Sequence, residues 1–155
     1  NYGYKQFKMS KFEEYDLYVR NKDFLISDGI ITFTDTNGRL LALKPDVTLS
    51  IIKNAKEANV AVISCMGTGN KLDITKLEVT EISKTTECPL ARVMRRELRN
   101  LGIDSLKVVF STEQPIKPIF QPDDESKRSV PGSVSFVPSA AGLIAAGEVI
   151  KDIIG

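Results

Sequence analysis

The sequence contains neither histidine nor tryptophan, and only two of its 155 residues are cysteines. Without histidine there is no imidazole to serve as a general base or as a metal ligand. The two cysteines, Cys65 and Cys88, are far apart and form no CxxC pair, so we predict no metal site. Unpaired thiols are typical of a reducing compartment, and we predict a cytoplasmic protein.

The sequence also lacks an excess of charge of either sign. Its net charge is +1, so an anionic partner would have to bind a local cluster of basic residues. The most apolar segment, "AAGLIAAGEVI", contains Glu148 and is shorter than the roughly 20 residues that a membrane-spanning helix needs. The N-terminal segment does not resemble a signal peptide. We therefore expect a soluble globular protein with no membrane partner.

The first third of the chain predicts a β-hairpin followed by a helix. Residues 30–35 and 39–43 flank Asn37-Gly38, a pair that favours a tight hairpin turn. The segment "PDVTLSIIKNAKEA" follows, and Asp46 can cap a helix there. Three apolar residues of this segment have the spacing of one buried face: Val47, Ile51 and Ile52.

From residue 59 onward the pattern predicts strands that alternate with helices. The predicted strands are 59–65, 76–82, 105–111 and 133–137, and the predicted helices are 89–101 and 139–154. The strands 59–65 and 105–111 show no polar alternation, as expected of strands covered on both faces. Residues 112–132 are rich in proline and charge and predict a loop. This alternation predicts an α/β fold with a parallel sheet.

A glycine-containing loop, "MGTGNKLD", follows the strand predicted at 59–65 and includes Gly67, Gly69 and Asn70. A dinucleotide-binding fingerprint needs GxGxxG at a strand-to-helix turn, but position 72 is leucine and no helical period follows directly. The loop is therefore either a tight turn or part of the lining of a ligand pocket. By itself it does not predict a phosphate site.

The helix predicted at 89–101 has one strongly basic face. At 100° per residue the arginines fall on one side, away from the apolar residues; they are Arg92, Arg95, Arg96 and Arg99. Glu97 lies near the apolar edge, and we expect it to neutralise them poorly. This face either is simply solvated or binds an anion such as the phosphate groups of RNA. Cys88 precedes the helix, where a thiol is often reactive, so it is either structural or a candidate nucleophile.

Residues 55–155 resemble the second half of ThiF/MoeB/HesA proteins, and most closely the branch of tRNA threonylcarbamoyladenosine dehydratases. The resemblance rests on "NVAVISCMGTGNKLD", "EISKTTECPLARVMRRELRNLGI", "LKVVFSTEQPI" and "GSVSFVPSAAGLIAAGEVIKDI". It implies a partial Rossmann-like fold, ATP and Mg²⁺ as cofactors, tRNA as a partner, and a homodimer. The GxGGVGS phosphate loop of that family is not in this sequence, so the resemblance implies a protein that is incomplete and inactive alone.

Residues 1–54 resemble a different family, the class II synthetase-like regulatory subunits of ATP phosphoribosyltransferase. The resemblance rests on the segment "KFEEYDLYVRNKDFLISDGIITFTDTNGRLLALKPDVTLSIIKN". That resemblance implies amino-acid binding through Asp46 and Thr48, and the catalytic subunit of ATP phosphoribosyltransferase as a partner. The two resemblances meet inside one predicted helix, so the sequence is that of a chimera, whether a natural fusion, a misassembled frame or an engineered recombinant.

Three functions remain open from the sequence: an ATP-dependent tRNA-modifying enzyme, an amino-acid-binding subunit of histidine biosynthesis, and an inactive scaffold. We also expect self-association. The segments "ISDGIITFTD" and "LKVVFS" are apolar and rich in β-branched residues, and as open sheet edges they would favour pairing between chains.

Overall fold

The structure is a computed structural model, and it describes residues 10–16, 30–43, 47–117 and 131–155. The chain divides into two compact units, Asn1–Ala55 and Lys56–Gly155. No helix within these described ranges is long and apolar enough to span a membrane.

The first unit contains a small antiparallel sheet of three strands. These are β1 (Phe12–Glu14), β2 (Thr32–Thr34) and β3 (Leu40–Leu43), and the strand order is β1-β3-β2. The rings of Phe12 and Phe33 pack edge to face with their centroids 4.8 Å apart. Ala42 on the central strand is fully buried, with Tyr15 and Ile30 packed against it.

The predicted hairpin is present, and Asp35 determines its turn. The Asp35 carboxylate accepts hydrogen bonds from the backbone N–H groups of Asn37 at 2.8 Å and Arg39 at 2.9 Å. These bonds lower the pKa of Asp35, with the Arg39 amide as the largest cause. Gly38 has a φ of +80°, a conformation that glycine adopts without steric cost.

The helix that follows, α1 (Thr48–Glu57), is shorter than predicted. Ile52 is buried, but Val47 and Ile51 are 41% and 39% exposed, so the prediction of one buried face holding all three was wrong. Val47 precedes the helix, and Ile51 is turned about 100° away from Ile52. The cap predicted at Asp46 lies outside the described residues.

The second unit contains a mixed three-stranded sheet. Its strands are β4 (Ile63–Cys65), β5 (Leu77–Glu81) and β6 (Lys107–Ser111), in the order β4-β6-β5. β4 pairs with β6 in parallel, and β5 pairs with β6 antiparallel. The predicted strands near 76–82 and 105–111 are confirmed, and the mixed α/β class is confirmed, but the sheet is not purely parallel.

Two predictions about these strands were wrong. β4 is three residues long, not seven. Its residues are half-buried or exposed and Val60 before it is 56% exposed, so its two faces are not both covered. β6 is the central strand, so "LKVVFS" is not an open edge. β2 is an edge strand of its sheet, although residues 26–29 of "ISDGIITFTD" lie outside the described ranges.

Among its described residues, the second unit has two α-helices, together with short 3-10 turns at Ile74–Lys76 and Ile82–Lys84. The first, α2 (Pro89–Asn100), ends one residue before the predicted boundary, with Gly102 at φ +70° beyond it. The second, α3 (Phe136–Ile154), begins three residues before the predicted start. A strand predicted at 133–137 is absent from these residues, because Val137 is fully buried as part of the helix and Pro138 is tolerated in a first helical turn.

Candidate functional site

The glycines of the loop that follows β4, residues 66–73, permit close packing. A Cβ at Gly69 would lie 2.9 Å from the Cβ of Pro131, whereas a Cβ at Gly67 would lie 3.6 Å from its nearest neighbour, the Cβ of Leu90. Neither glycine has a positive φ. Gly69 is therefore required by the approach of another chain segment, and Gly67 sits in ordinary van der Waals surroundings.

Asn70 fastens this loop to two other segments. It adopts the left-handed conformation, with φ at 57°, which asparagine tolerates better than most residues. Its N–H donates to Gly132 O at 2.8 Å and its side chain accepts from Gly132 N at 2.6 Å. Its own carbonyl accepts from Ile116 N at 2.7 Å. Asn70 thus holds the start of the last segment against the loop after β6.

The carboxylate of Glu113 closes the end of the glycine loop. It accepts from Leu72 N at 3.0 Å and from Asp73 N at 2.9 Å. Backbone N–H groups of this kind bind phosphates in nucleotide loops, but here a carboxylate of the same chain already occupies them. This geometry agrees with the sequence argument that the glycine loop is not a phosphate cradle.

Lys71 is the residue that the sequence analysis missed. Its side chain is buried at 2% exposure, and its ammonium donates to Ser111 O at 2.7 Å and to Glu87 O at 3.3 Å. Burial lowers the pKa of Lys71, against the opposing influence of Cys88, Glu113 and Glu87. No periodic signal marked it, because a single lysine in a loop is normally solvated.

Cys88 is the N-cap of α2, as its place in the sequence predicted. Its sulfur accepts from Ala91 N at 3.4 Å and lies 3.9 Å from Gly67 O, and the residue is 5% exposed. Glu87, just before it, has a φ of 45°. These contacts describe a buried cap, and a nucleophilic role for Cys88 stays a prediction.

The other cysteine, Cys65, ends β4. Its sulfur lies 3.6 Å from Ala141 O on α3, and burial raises the pKa of its thiol. Across the described ranges, no group of three or more cysteine, aspartate or glutamate side chains could hold a metal ion.

The arginines of α2 do not act as one set. Arg95 is half-buried, and its Nη1 donates to the carbonyl of Thr85 at 2.8 Å as well as to the hydroxyl of the same residue. It therefore ties α2 to the preceding turn. Arg92, Arg96 and Arg99 remain on the exposed side, and we call these three the arginine face.

Glu97 differs from the prediction that it would neutralise the arginines poorly. It is 5% exposed, and its carboxylate accepts from Arg96 Nε at 2.8 Å and from Asn100 Nδ2 at 3.4 Å. The helix turns Glu97 toward the core beside Met94 and Leu98, and the salt bridge offsets the cost of burying its charge.

The amino-acid site predicted in the first unit is described only in part. Thr48 is the first residue of α1 and is half-buried, whereas Asp46 lies outside the described residues. The pairing of Asp46 with Thr48 around a ligand stays a prediction.

The close approach of Pro131 to Gly69 leads to a prediction about stability. Replacing Gly69 by alanine is expected to lower the free energy of unfolding by about 1–3 kcal/mol, because the new methyl group would overlap Pro131. Gly67→Ala is the matched control and should change stability by less than about 1 kcal/mol. Urea denaturation of both variants measures the difference. Equal stability of the two variants would contradict the packing role of Gly69.

Comparison with known proteins finds relatives of two kinds, although no protein-family model matches the chain. The chain is 37% identical over 118 residues to a tRNA threonylcarbamoyladenosine dehydratase of Bacillus subtilis, which covers 68% of this chain and 46% of that protein. It is 42% identical over 88 residues to tRNA threonylcarbamoyladenosine dehydratase 2 of Saccharomyces cerevisiae, covering 54% of this chain and 20% of that one. The chain thus spans less than half the length of the curated relatives it matches.

Solved structures give the same fold. The E. coli tRNA N6-threonylcarbamoyladenosine dehydratase TcdA superposes with a TM-score of 0.55 in its complex with AMP and 0.56 in its complex with ATP, at 23% identity. Each covers 68% of this chain. A shorter match, 34% identical over 59 residues, is to the ATP phosphoribosyltransferase regulatory subunit of Oceanobacillus iheyensis and covers 38% of this chain and 15% of that protein.

Proposed function

We propose that the second unit is part of a protein that acts like the tRNA threonylcarbamoyladenosine dehydratases, and that the chain is an incomplete tRNA-modifying protein. The observation that carries this proposal is the 37% identity over 118 residues with the Bacillus subtilis dehydratase. The TM-score of 0.55 to the fold of the E. coli protein supports it.

Under this proposal the chain contributes to RNA binding and not to adenylation. The sequence contains no GxGGVGS loop, and the N–H groups of Leu72 and Asp73 are already bound by Glu113. Catalysis at a phosphate depends on donors and cations arranged around the developing charge. In the glycine loop, Glu113 already occupies two adjacent N–H groups that could otherwise stabilise that charge.

We therefore expect no release of pyrophosphate when the purified chain is mixed with ATP, Mg²⁺ and tRNA. The measurement is a coupled pyrophosphate assay, with the full-length Bacillus subtilis dehydratase as the positive control for the substrates. Release above the protein-free blank, by a preparation that passes a mass-spectrometric purity check, would contradict the proposal that the chain is inactive alone.

The arginine face is the proposed contact for tRNA. Arg92 and Arg99 are exposed, and Arg96 keeps 49% of its side chain exposed while it pairs with Glu97. Guanidinium groups suit phosphate oxygens because their planar donors match two acceptors at once. These residues follow one side of a two-turn stretch of helix, about 10 Å along its axis, which is long enough to meet successive phosphates of one strand.

A second candidate function concerns the first unit. The match to an ATP phosphoribosyltransferase regulatory subunit supports an amino-acid-binding role, with Thr48 as one of the contacts and the catalytic subunit of that enzyme as a partner. Calorimetric titration separates the two functions. Heat on adding histidine, with none on adding ATP and Mg²⁺, would favour the regulatory role, and no heat with either ligand would favour the inactive scaffold.

We also propose that the chain joins parts of two families. The shares of the chain covered by the two kinds of match, 68% and 38%, are close to those expected if each match falls on one unit. Amplification of source DNA across the codons for residues 50–60 tests a natural fusion. A single uninterrupted product would support it, and failure to obtain one would favour misassembly or recombination.

A further inference from the structure

The loop between β2 and β3 exposes an asparagine that is followed directly by a glycine. Asp35 N donates to Arg39 O at 2.9 Å, and Gly38 N donates to Asp35 O at 3.1 Å. With Gly38 at a φ of +80°, this is the geometry of a type I turn followed by a glycine bulge. Asn37 is the third residue of the turn, and both Asn37 and Gly38 are exposed.

An asparagine in this setting can be attacked by its own backbone. The nitrogen of Gly38, once it has lost its proton, attacks Cγ of Asn37, expels the side-chain nitrogen as ammonia and closes a five-membered succinimide ring. Water then opens the ring at one of its two carbonyls and leaves aspartate or isoaspartate. The net change is one water gained and one ammonia lost, so the reaction needs no oxidant or cofactor. Glycine leaves the attacking nitrogen unobstructed, and a Cβ built at Gly38 meets no atom within 4 Å.

The other asparagines of the described ranges lack this combination. Asn59 is exposed, but the branched side chain of Val60 shields the nitrogen that would attack. Three more have side chains held by hydrogen bonds within the fold, and each is followed by a residue larger than glycine: Asn54, Asn70 and Asn100. We therefore expect Asn37 to react first.

The turn itself restrains the reaction. The carboxylate of Asp35 accepts from the N–H groups of Asn37 at 2.8 Å and Arg39 at 2.9 Å. The nitrogen of Gly38 is bound to Asp35 O. Attack on Cγ requires this nitrogen to leave its hydrogen bond and the peptide group after Asn37 to rotate out of the turn. The rate therefore depends on the fraction of molecules in which the turn is open.

We propose that Asn37 is a site of spontaneous deamidation, and that Asp35 controls its rate by holding the turn closed. The product has consequences for the hairpin. A new carboxylate at position 37 lies beside that of Asp35, and isoaspartate adds a carbon atom to the backbone next to the paired residues Thr34 and Leu40. Both changes weaken the pairing of β2 with β3. This inference does not depend on the proposed tRNA function.

Incubation of the whole chain at mildly alkaline pH, followed by tryptic digestion and mass spectrometry, tests the proposal. Cleavage after Lys22 and Arg39 gives a peptide in which Asn37 is the sole asparagine, so the mass gained on deamidation assigns the site. A synthetic peptide of the same sequence gives the rate without the turn. We expect the folded chain to react at least about tenfold more slowly than this peptide, because the closed turn does not react.

Variants of Asp35 test its control of the rate. Asp35→Ala should recover most of the difference between the chain and the peptide. Asp35→Ser, whose hydroxyl can still accept from a backbone N–H group, should react at an intermediate rate. Glu14→Ala is the matched control, because Glu14 lies 3.9 Å from the Arg39 side chain in the same sheet and its loss should leave the rate unchanged. Asn37→Gln should remain unmodified, since glutamine would have to close a less favourable six-membered ring.

Three outcomes overturn the proposal. The first is a folded chain that remains unmodified at Asn37 after the peptide has been fully converted. The second is deamidation of Asn59 as fast as that of Asn37, which would remove the role of the glycine. The third is an Asp35→Ala variant that reacts at the wild-type rate, which would mean that Asp35 does not hold the turn closed.

Discussion

Replacing Lys71 by methionine is expected to lower the free energy of unfolding by about 2–3 kcal/mol, since the carbonyls of Ser111 and Glu87 lose the ammonium that binds them at 2.7 and 3.3 Å. Methionine has nearly the same length and fills the space, so the loss reports the hydrogen bonds. Lys84→Met, at an exposed lysine, is the matched control and should change stability by less than about 0.5 kcal/mol.

The difference in stability between the wild type and Lys71→Met is expected to depend on pH. The folded-state pKa of Lys71 is lowered below its ordinary value of 10.5, so the unfolded chain binds more protons than the folded one between the two pKa values. Stability contributed by this residue therefore rises with pH in that window, which ends near 10.5. The difference in stability between the wild type and Lys71→Met should widen from neutral pH toward pH 10. A constant difference would contradict the burial of a charged ammonium.

Changing the arginine face to glutamine is expected to weaken tRNA binding about 100-fold at 0.15 M salt. If Arg92, Arg96 and Arg99 each neutralise one phosphate, the slope of log K against log salt falls by about 0.7–0.9 per residue. Filter binding at several salt concentrations measures both quantities. The expected result is a shallower slope together with weaker binding at low salt.

The control for this experiment is Arg39→Gln in the first unit, where Arg39 forms a salt bridge with Asp35 at 2.9 Å. It removes one positive charge far from the arginine face in the sequence and should leave the slope unchanged. If the triple variant keeps the wild-type slope, the arginine face is a solvated surface. If the control lowers it equally, binding follows total charge and not a site.

The helices were predictable because their signals are local. Pro89 at a first turn and Gly102 beyond the end mark α2 within one residue, since both act through the allowed backbone angles of a single residue. The Asn37-Gly38 turn was predictable for the same reason. The position of Cys88 at the N-terminus of α2 followed directly from these boundaries.

Failures occurred where the partner of a residue is distant in the sequence. The segment "SVSFV" has the alternation of a strand, but its end joins α3 because Val137 is buried among residues of the same unit. Glu97 was expected to neutralise the arginines poorly; its partners Arg96 and Asn100 are neighbours in the sequence, but its burial at 5% exposure is decided by the fold. Alternation describes which side of a segment is apolar, and not which surface will cover it.

The sequence by itself determined the α/β class and the bounds of α2. It also showed that the glycine loop lacks a phosphate-binding fingerprint. Each of these conclusions depends on residues that are adjacent in the chain. Only the tertiary structure decided why Gly69 is glycine, that Lys71 is buried, and that β6 is central. Pro131 approaches Gly69 across 62 residues, and Ser111 meets Lys71 across 40. The physical reason is the same for all three: long-range packing assigns each residue its neighbours, and a local pattern carries no record of them.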